Sequence, residues 1–215
     1  MENNYNPEKY LNGQVSDGLE HTPRYHQDLL EEDEKRYIEM LRKAYTDSMT
    51  GCFNRNYFEM INKENIDPVK DNQNIVIDHY DINNLTDANK ISYATGDQMI
   101  IDTTNHIMSK CGIKETTGKI TGDEYKNQDI MIRIGGDEFI TIHYKTEKEQ
   151  LDPNYEIKHQ NWMSENIYKN KPDTFDFAWG SSIFDNNIDR NIYDTSVRSG
   201  INMQEQKTVR KSFMQ

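Results

Sequence analysis

An α+β fold of the ferredoxin-like kind, a sheet containing antiparallel strands with helices laid on it, is what the sequence predicts. Three observations point there. "NIVIDHYDI" (74–82) has the β-branched apolar core of a buried strand and ends in acids. "MIRIGGDEFITIHY" (131–144) places apolar runs on either side of Gly135, Gly136, Asp137 and Glu138, the pattern of a hairpin. Helical patterns alternate with these strands and a later one, so the coarse order is helix, strand, helix, hairpin, helix, strand, helix.

Taken in order, residues 1–24 carry scattered Asn, Gly and Pro with no apolar period and are expected to form a mobile tail. Over 25–46, Leu30, Tyr37 and Ala44 recur seven apart, with Ile38, Leu41 and Tyr45 beside them and charges between. That is an amphipathic helical stalk, which lies on the domain or pairs with a second copy. Its acid-rich "EEDEK" (31–35) is the solvated face. The rest, 47–215, is expected to be one domain. "DSMTGCFNR" (47–55) breaks the stalk at Gly51, and a helix restarts around Asn54–Asn62. "SYATGDQMIIDTTNHIMSKC" (92–111) is a helix packed on the sheet, and the polar, Gly/Thr-rich stretch 114–126 is a loop. A helix over 154–169, a strand over 174–184 and an amphipathic segment from Ile192 complete the chain.

The length, 215 residues and 25.4 kDa, suits one ordinary domain with a tail or stalk. A hydrophobic fraction of 34% and a mean hydropathy of −1.00 are low for a fully packed chain, so part of it is expected to be exposed or disordered. The net charge of −12 excludes a general nucleic-acid or anionic-membrane binder, which needs a basic patch. A nucleotide ligand would need metal ions to mediate the charge. Cys52 and Cys111 have no CxxC spacing, and there is no signal peptide or long apolar span, so the reducing cytoplasm is the expected compartment.

The acids of the hairpin stand out by context. Gly-Gly alone suits a two-residue turn, where positive φ is permitted, but that does not account for two acids abutting a strand. Gly122-Asp123-Glu124 nearly repeats the tetrapeptide without apolar flanks, so no sheet would aim its carboxylates. Asp78 and Asp81, near the end of the first core strand, fall on opposite faces by the period of two. Were that strand to neighbour the hairpin, Asp81 and Asp137 could converge on shared cations. Oxygen-only ligands suit Mg²⁺ or Mn²⁺, and paired ions are the usual device for in-line attack at phosphorus.

"RIGGDEF" (133–139) resembles the signature of the GGDEF family, the diguanylate cyclases, and further segments agree in order. "DSMTGCFNR" is similar to the family's D-x-L-T-G-L-x-N-R. "DINNLTDAN…GD" (81–97) is similar to D-[ILV]-D-x-[FL]-K-x-[IV]-N-D-x-x-G-H-x-x-G-D, and "AWGSS" (178–182) to a late S-I-G-[VI]-[AS] strand. The resemblance spans roughly 25–207 and implies a palm-type nucleotidyl-cyclase fold. It also implies condensation of two GTP to cyclic di-3′,5′-GMP with release of two pyrophosphates, in a homodimer whose two half-sites face each other. Each half-site would hold two Mg²⁺ or Mn²⁺ ions. Carried over by position, Asp81, Asp137 and the carbonyl of Ile82 would bind metal, and Glu138 would be a metal ligand or help deprotonate the attacking 3′-hydroxyl. Asn89 and Asp97 would bond the guanine edge, Gly135 and Gly136 would let backbone approach the phosphates, and Arg133 would face the triphosphate or stabilise the strand acids.

The sequence also departs from that pattern. Asn83 replaces the second acid of D-x-D, Thr86 replaces a phosphate-holding Lys, Lys90 stands where N-D has its Asp, and the loop to Asp97 is one residue shorter. Lys207, Arg210 and Lys211 are the candidates for the C-terminal phosphate lysine. Lys126-Asn127-Gln128-Asp129 stands for the family's product-inhibition R-x-x-D, so feedback inhibition is expected to be weak or absent. A non-catalytic regulator that binds GTP or a cyclic dinucleotide, or a cyclase with another nucleotide product, are the alternatives. Trp162 and Trp179 are expected to be packing residues, and His79, His106 and His143 ordinary surface or packed ones.

Overall fold

The computed structural model describes residues 24–63, 74–113, 128–145 and 154–213, and the chain divides into two units, Met1–Met40 and Leu41–Gln215. The expected loop over 114–126 lies outside the described residues. So does the expected tail, save Arg24, which opens helix α1 (Arg24–Tyr45). In the first unit Arg36 reaches Glu32 and Asp33 at 3.9 and 4.0 Å, exposed pairs that contribute little stability.

In the second unit the elements run β1 (Phe53–Asn54), α2 (Arg55–Lys63), β2 (Asn74–Asn83), α3 (Leu85–Ile91), α4 (Tyr93–Cys111), β3 (Ile130–Arg133), β4 (Glu138–Lys145), α5 (Tyr155–Trp162), β5 (Asp176–Ile183) and α6 (Ile192–Phe213). The five strands form one mixed sheet in the order β1-β3-β4-β2-β5, with β1 parallel to β3 and every other pair antiparallel. Strands β2 to β5 with α4 and α5 thus make the split βαββαβ core that the element order predicts. Helix α3 and the two-residue β1 are additions to that expectation. Helix α5 continues as a π-helical turn, Met163–Tyr168, and the ring Nε2 of His106 on α4 donates to the carbonyl of Ile167 there at 2.8 Å.

Alternation along the strands divides the core between two faces. Tyr80, Ile82, Met131, Phe139, Phe177 and Trp179 pack with Ile100, Ile107 and Met108 of α4 and with Met163 and Ile167 of the π turn. Ile75, Ile77, Ile130, Ile132, Ile140 and Ile142 pack on the opposite face with Tyr57, Phe58 and Ile61 of α2 and Ile192 of α6. Trp179 is buried as expected, whereas Trp162 is 39% exposed and is not a core residue. No helix among the described residues is long and apolar enough to cross a membrane.

Helix α6 lies directly on the backbone of β5. A Cβ on Gly180 would come within 2.2 Å of the Met203 nitrogen and 2.6 Å of the Ser199 carbonyl oxygen, both backbone atoms. Asn202 locks the contact by donating to the Ser181 carbonyl at 2.7 Å. Gly180→Ala should therefore push the helix off the strand and lower stability by about 3 kcal/mol, read as a lower urea midpoint. An unchanged midpoint would mean that this contact is not tight.

Candidate active site at the hairpin

The pairing of β2 with β4 ends with Asp81 directly opposite Glu138. The Ile82 N–H donates to the Asp137 carbonyl at 3.0 Å, so Asp81, Ile82, Asp137 and Glu138 meet at one end of the central strand pair. Asp81 and Glu138 share the face covered by α6, and like charges opposed across a strand pair repel. Lys207 of α6 answers that repulsion, its Nζ lying 2.6 Å from Asp81 Oδ1. Among the three C-terminal cations considered from the sequence, Lys207 is thereby placed at the acids. Among the described residues the three carboxylates do not gather within 4.8 Å of one another.

The glycines act differently from the turn reading. Neither Gly135 nor Gly136 has positive φ, and four residues, 134–137, join β3 to β4. The Ile134 and Gly135 amides both donate to the Glu138 carbonyl, at 3.0 and 3.2 Å. A Cβ on Gly135 would meet Glu138 Oε2 at 3.1 Å, whereas one on Gly136 would meet nothing within 4 Å. Gly135 makes room for Glu138, and the space above Gly136 is left open.

Arg133 clips this loop together. Its Nε donates to the Gly135 carbonyl at 3.2 Å, its Nη2 to the Gly136 carbonyl at 2.7 Å, and its Nη1 to both oxygens of Asp47 at 3.1 and 3.3 Å. Asp47 also accepts from the Thr50 amide and hydroxyl at 3.0 and 2.8 Å, in a turn completed by Gly51 at φ 70°. The "DSMTG" segment is therefore the anchor of the hairpin. Burial pushes the Asp47 carboxyl upward, but the Thr50 hydrogen bonds and the Arg133 charge prevail and hold it below its ordinary value.

Asn83 donates to Asp176 Oδ2 at 2.9 Å across the β2–β5 pair. At the turn into α3, Asn84 adopts a left-handed φ of 62°. The side chain of Asn89 on α3 lies over Gly96 on α4, where an added Cβ would fall 1.9 Å from its Oδ1. The neighbouring Asp97 is exposed, so Asn89 and Asp97 stand at one helix corner. A cavity of about 1030 Å³ opens between α2 and α6, with His79, Ile134 and Glu138 in its wall. Asn89 and Asp97 do not line it.

A second polar cluster lies on the other face, and sequence reasoning missed it. Asp78, fully buried, accepts from His159 Nε2 at 2.9 and 3.0 Å, from the Ser181 hydroxyl, and lies 3.1 Å from His143 Nε2. His143 Nδ1 donates to Asp129 Oδ2 at 2.6 Å, and Asp129 also accepts from the Tyr144 amide at 3.0 Å. Burial pushes the Asp78 carboxyl up, yet the two imidazoles hold it well below the carboxylate range. Burial disfavours the His143 imidazolium, but the hydrogen bonds to Asp129 and Asp78 raise it well above its ordinary value. Asp129, the acid of the expected inhibition motif, is thus turned toward His143, while Lys126 lies outside the described residues.

The family model described as "Diguanylate cyclase, GGDEF domain" matches residues 44–212. A comparison with curated proteins returns no match. Among solved structures, the coiled coil and GGDEF domain of DgcB from Caulobacter crescentus, in complex with c-di-GMP, is 14% identical with a TM-score of 0.62, over 86% of this chain and 92% of that one. A sensory box/GGDEF family protein from Caulobacter crescentus CB15 is 17% identical with a TM-score of 0.55, over 77% and 99%. A microbial GGDEF domain that interacts with bis-(3,5)-cyclic di-GMP is 21% identical with a TM-score of 0.54, over 79% and 94%. At these identities the structures share the fold, a five-stranded mixed sheet flanked by helices.

The Asp47 clip yields a pH dependence. A carboxyl whose pKa is lowered on folding contributes stability above its unfolded value and loses it as pH falls through the folded one. Asp47→Asn should destabilise the chain by about 1–2 kcal/mol near neutrality. Between about pH 6 and about pH 3 its stability should then fall less steeply than that of the parent chain. Urea melts across that range read both; parallel slopes would remove Asp47 as a contributor.

Proposed function

The chain belongs to the GGDEF family of diguanylate cyclase domains, and from that premise we propose that it condenses two GTP into cyclic di-3′,5′-GMP with release of two pyrophosphates. The observation that carries this reading is the convergence of Asp81, Ile82, Asp137 and Glu138 at the end of the β2–β4 pair, with Lys207 against Asp81. Acids opposed across strands favour a cation between them, and their donor set is all oxygen, which fits Mg²⁺ or Mn²⁺. Asp81, the Ile82 carbonyl, Asp137 and Glu138 would hold two such ions per half-site. Bound there, the ions would neutralise phosphate charge and polarise the phosphorus under attack.

In each half-site the 3′-oxygen of one GTP forms a bond to the α-phosphorus of the other, and the bond to the pyrophosphate oxygen breaks. Glu138 would take the 3′-hydroxyl proton or hold an ion. With cations held by the acids, Lys207 would be free to turn from Asp81 to the phosphates. The open backbone at Gly136 admits phosphate, and Arg133 keeps the loop in place rather than meeting the triphosphate itself. Asn89 and Asp97 hold the guanine edge, since guanine presents donors to their oxygens. Two half-sites are needed, so the working form is a homodimer, with α1 as the pairing stalk, in the cytoplasm where GTP is held.

The separation of the three carboxylates and the changes at Asn83 and Thr86 favour one second reading, a nucleotide-binding regulator without catalysis. Purified chain with GTP and Mg²⁺ or Mn²⁺ should yield cyclic di-GMP and pyrophosphate, with specific activity that rises with protein concentration and vanishes with a chelator. Asp137→Ala should reduce the rate at least about a hundredfold, some 2.7 kcal/mol of transition-state stabilisation. Nucleotide binding with no product from any purine triphosphate would establish the regulator instead, and product from ATP alone would change the substrate.

A further inference from the structure

We propose that Asp78, His143 and His159 form a transition-metal site that takes one Zn²⁺ and ties α5 to the β2–β4 strand pair, on the sheet face opposite the GTP acids. The three residues come from three elements, and their ligand atoms all lie within 4.8 Å of one another. They are 0, 3 and 6% exposed, so the site is built into the core rather than displayed on the surface.

The spacing is close to what a metal needs. Ligands at about 2.0–2.2 Å from a tetrahedral zinc stand roughly 3.3 Å apart. Asp78 oxygens already lie 2.9 Å from His159 Nε2 and 3.1 Å from His143 Nε2. The ligand nitrogens of the two imidazoles lie within 4.8 Å of each other, so the centre would open as the rings and the carboxylate draw back from their direct hydrogen bonds. Both imidazoles bring Nε2 to Asp78, that of His143 also lying 2.9 Å from the Thr141 hydroxyl, which a metal would displace as partner, and the opposite nitrogen of His143 is held by Asp129 at 2.6 Å. A carboxylate on the far nitrogen is the arrangement that orients metal-binding histidines and raises their basicity. A divalent ion would also match the charge that Asp78 and Asp129 carry together.

The donor set names the metal class. Two imidazoles with one carboxylate suit Zn²⁺ and disfavour Mg²⁺, in contrast to the all-oxygen set at the hairpin. A cavity of about 420 Å³ opens at the two histidines, with Cys111 and Asp129 also in its wall, and leaves room for a fourth ligand on their side. The His159 ring is fixed between Tyr155 and Trp162, with ring centroids 5.9 and 6.1 Å away and planes tilted by 20° and 24°. Within α5 itself His159 is the residue turned into the core, while apolar packing begins only with Met163 in the turn that follows, so a metal bond from His159 would fix the first part of the helix to the strands. The inference is independent of the cyclase reading.

The full chain, stripped by a chelator, should bind one equivalent of Co²⁺ with the visible absorption of a four-coordinate ion. Zn²⁺ should displace it and Mg²⁺ should not. His159→Gln should abolish the signal, Asp137→Ala should leave it whole, and Asp129→Asn, which spares all three ligands, should weaken Zn²⁺ binding about 10–100-fold. If His159→Gln does not fold, the parent spectrum and the Asp129→Asn affinity decide. No stoichiometric ion in the parent chain, or undiminished affinity in Asp129→Asn, would overturn the proposal.

Discussion

The antiparallel register of β2 against β4, from Asn74 opposite Lys145 to Asp81 opposite Glu138, is the constraint on which the rest of the molecule depends. Side chains alternate along a strand, so a slip of one residue would exchange the faces. Ile75 and Ile77 would leave the α2–α6 layer, and Tyr80 and Ile82 would leave the α4 layer. Burial of these large side chains, at about 1.5–3 kcal/mol each, holds the register far more firmly than the repulsion between Asp81 and Glu138 opposes it. The sheet can therefore keep two acids face to face at its end.

Strand β2 passes that order on through β5. Gly180 pairs with His79 in the β2–β5 ladder, and the bare backbone of Gly180 seats α6 at Ser199 and Met203. Lys207 follows Met203 by four residues, one turn and about 6 Å further along the same face of the helix. That step carries its ammonium from the contact at Gly180 to the carboxylate of Asp81, two residues on from His79. A glycine that touches no ligand thus sets where the cation of the site falls. Burial holds the His79 imidazole below its ordinary value against the pull of Glu138 and Asp81, so this wall of the site favours a neutral ring.

Much of this was legible because the signals were local. The strands, the hairpin and α4 follow from apolar period, and the structure adds the Ser92 cap, which accepts from the Thr95 amide at 3.0 Å. Helix α3 was not legible: it is seven residues long and buries none of them, so no apolar stripe marks it. The π turn buries Met163 and Ile167, and no spacing in the sequence announces it. The hairpin glycines invited a handedness argument, but their φ values are ordinary, and steric room for Glu138 is what Gly135 provides. His143 looked ordinary because its partners, Asp78 and His159, are 65 and 16 residues away and meet it only through sheet register and the docking of α5. Period alone correctly sent Asp78 and Asp81 to opposite faces; it could not say that histidines waited on one of them.

The departures around β2 can be understood in the same electrostatic terms. An acid at position 83 would stand opposite Asp176 in the β2–β5 ladder, whereas Asn83 offers that carboxylate a donor at 2.9 Å. Asp176 also accepts from the Tyr168 hydroxyl at 2.9 Å and has Lys171 within 3.4 Å, so it is already integrated into the β5 edge. Replacing an acid by Asn83 removes one negative charge, and replacing a lysine by Thr86 three residues later removes one positive charge. Between those two positions the charges cancel, while Lys90 in place of an acid makes the following turn more positive. What shifts is the distribution of charge: Asp81 and Glu138 are left as opposed acids at the strand end, and the cationic answer to Asp81 comes from the helix on that same face, from Lys207. A site rebuilt in this way asks more of α6, because the helix that closes the fold is also the one that balances the acids.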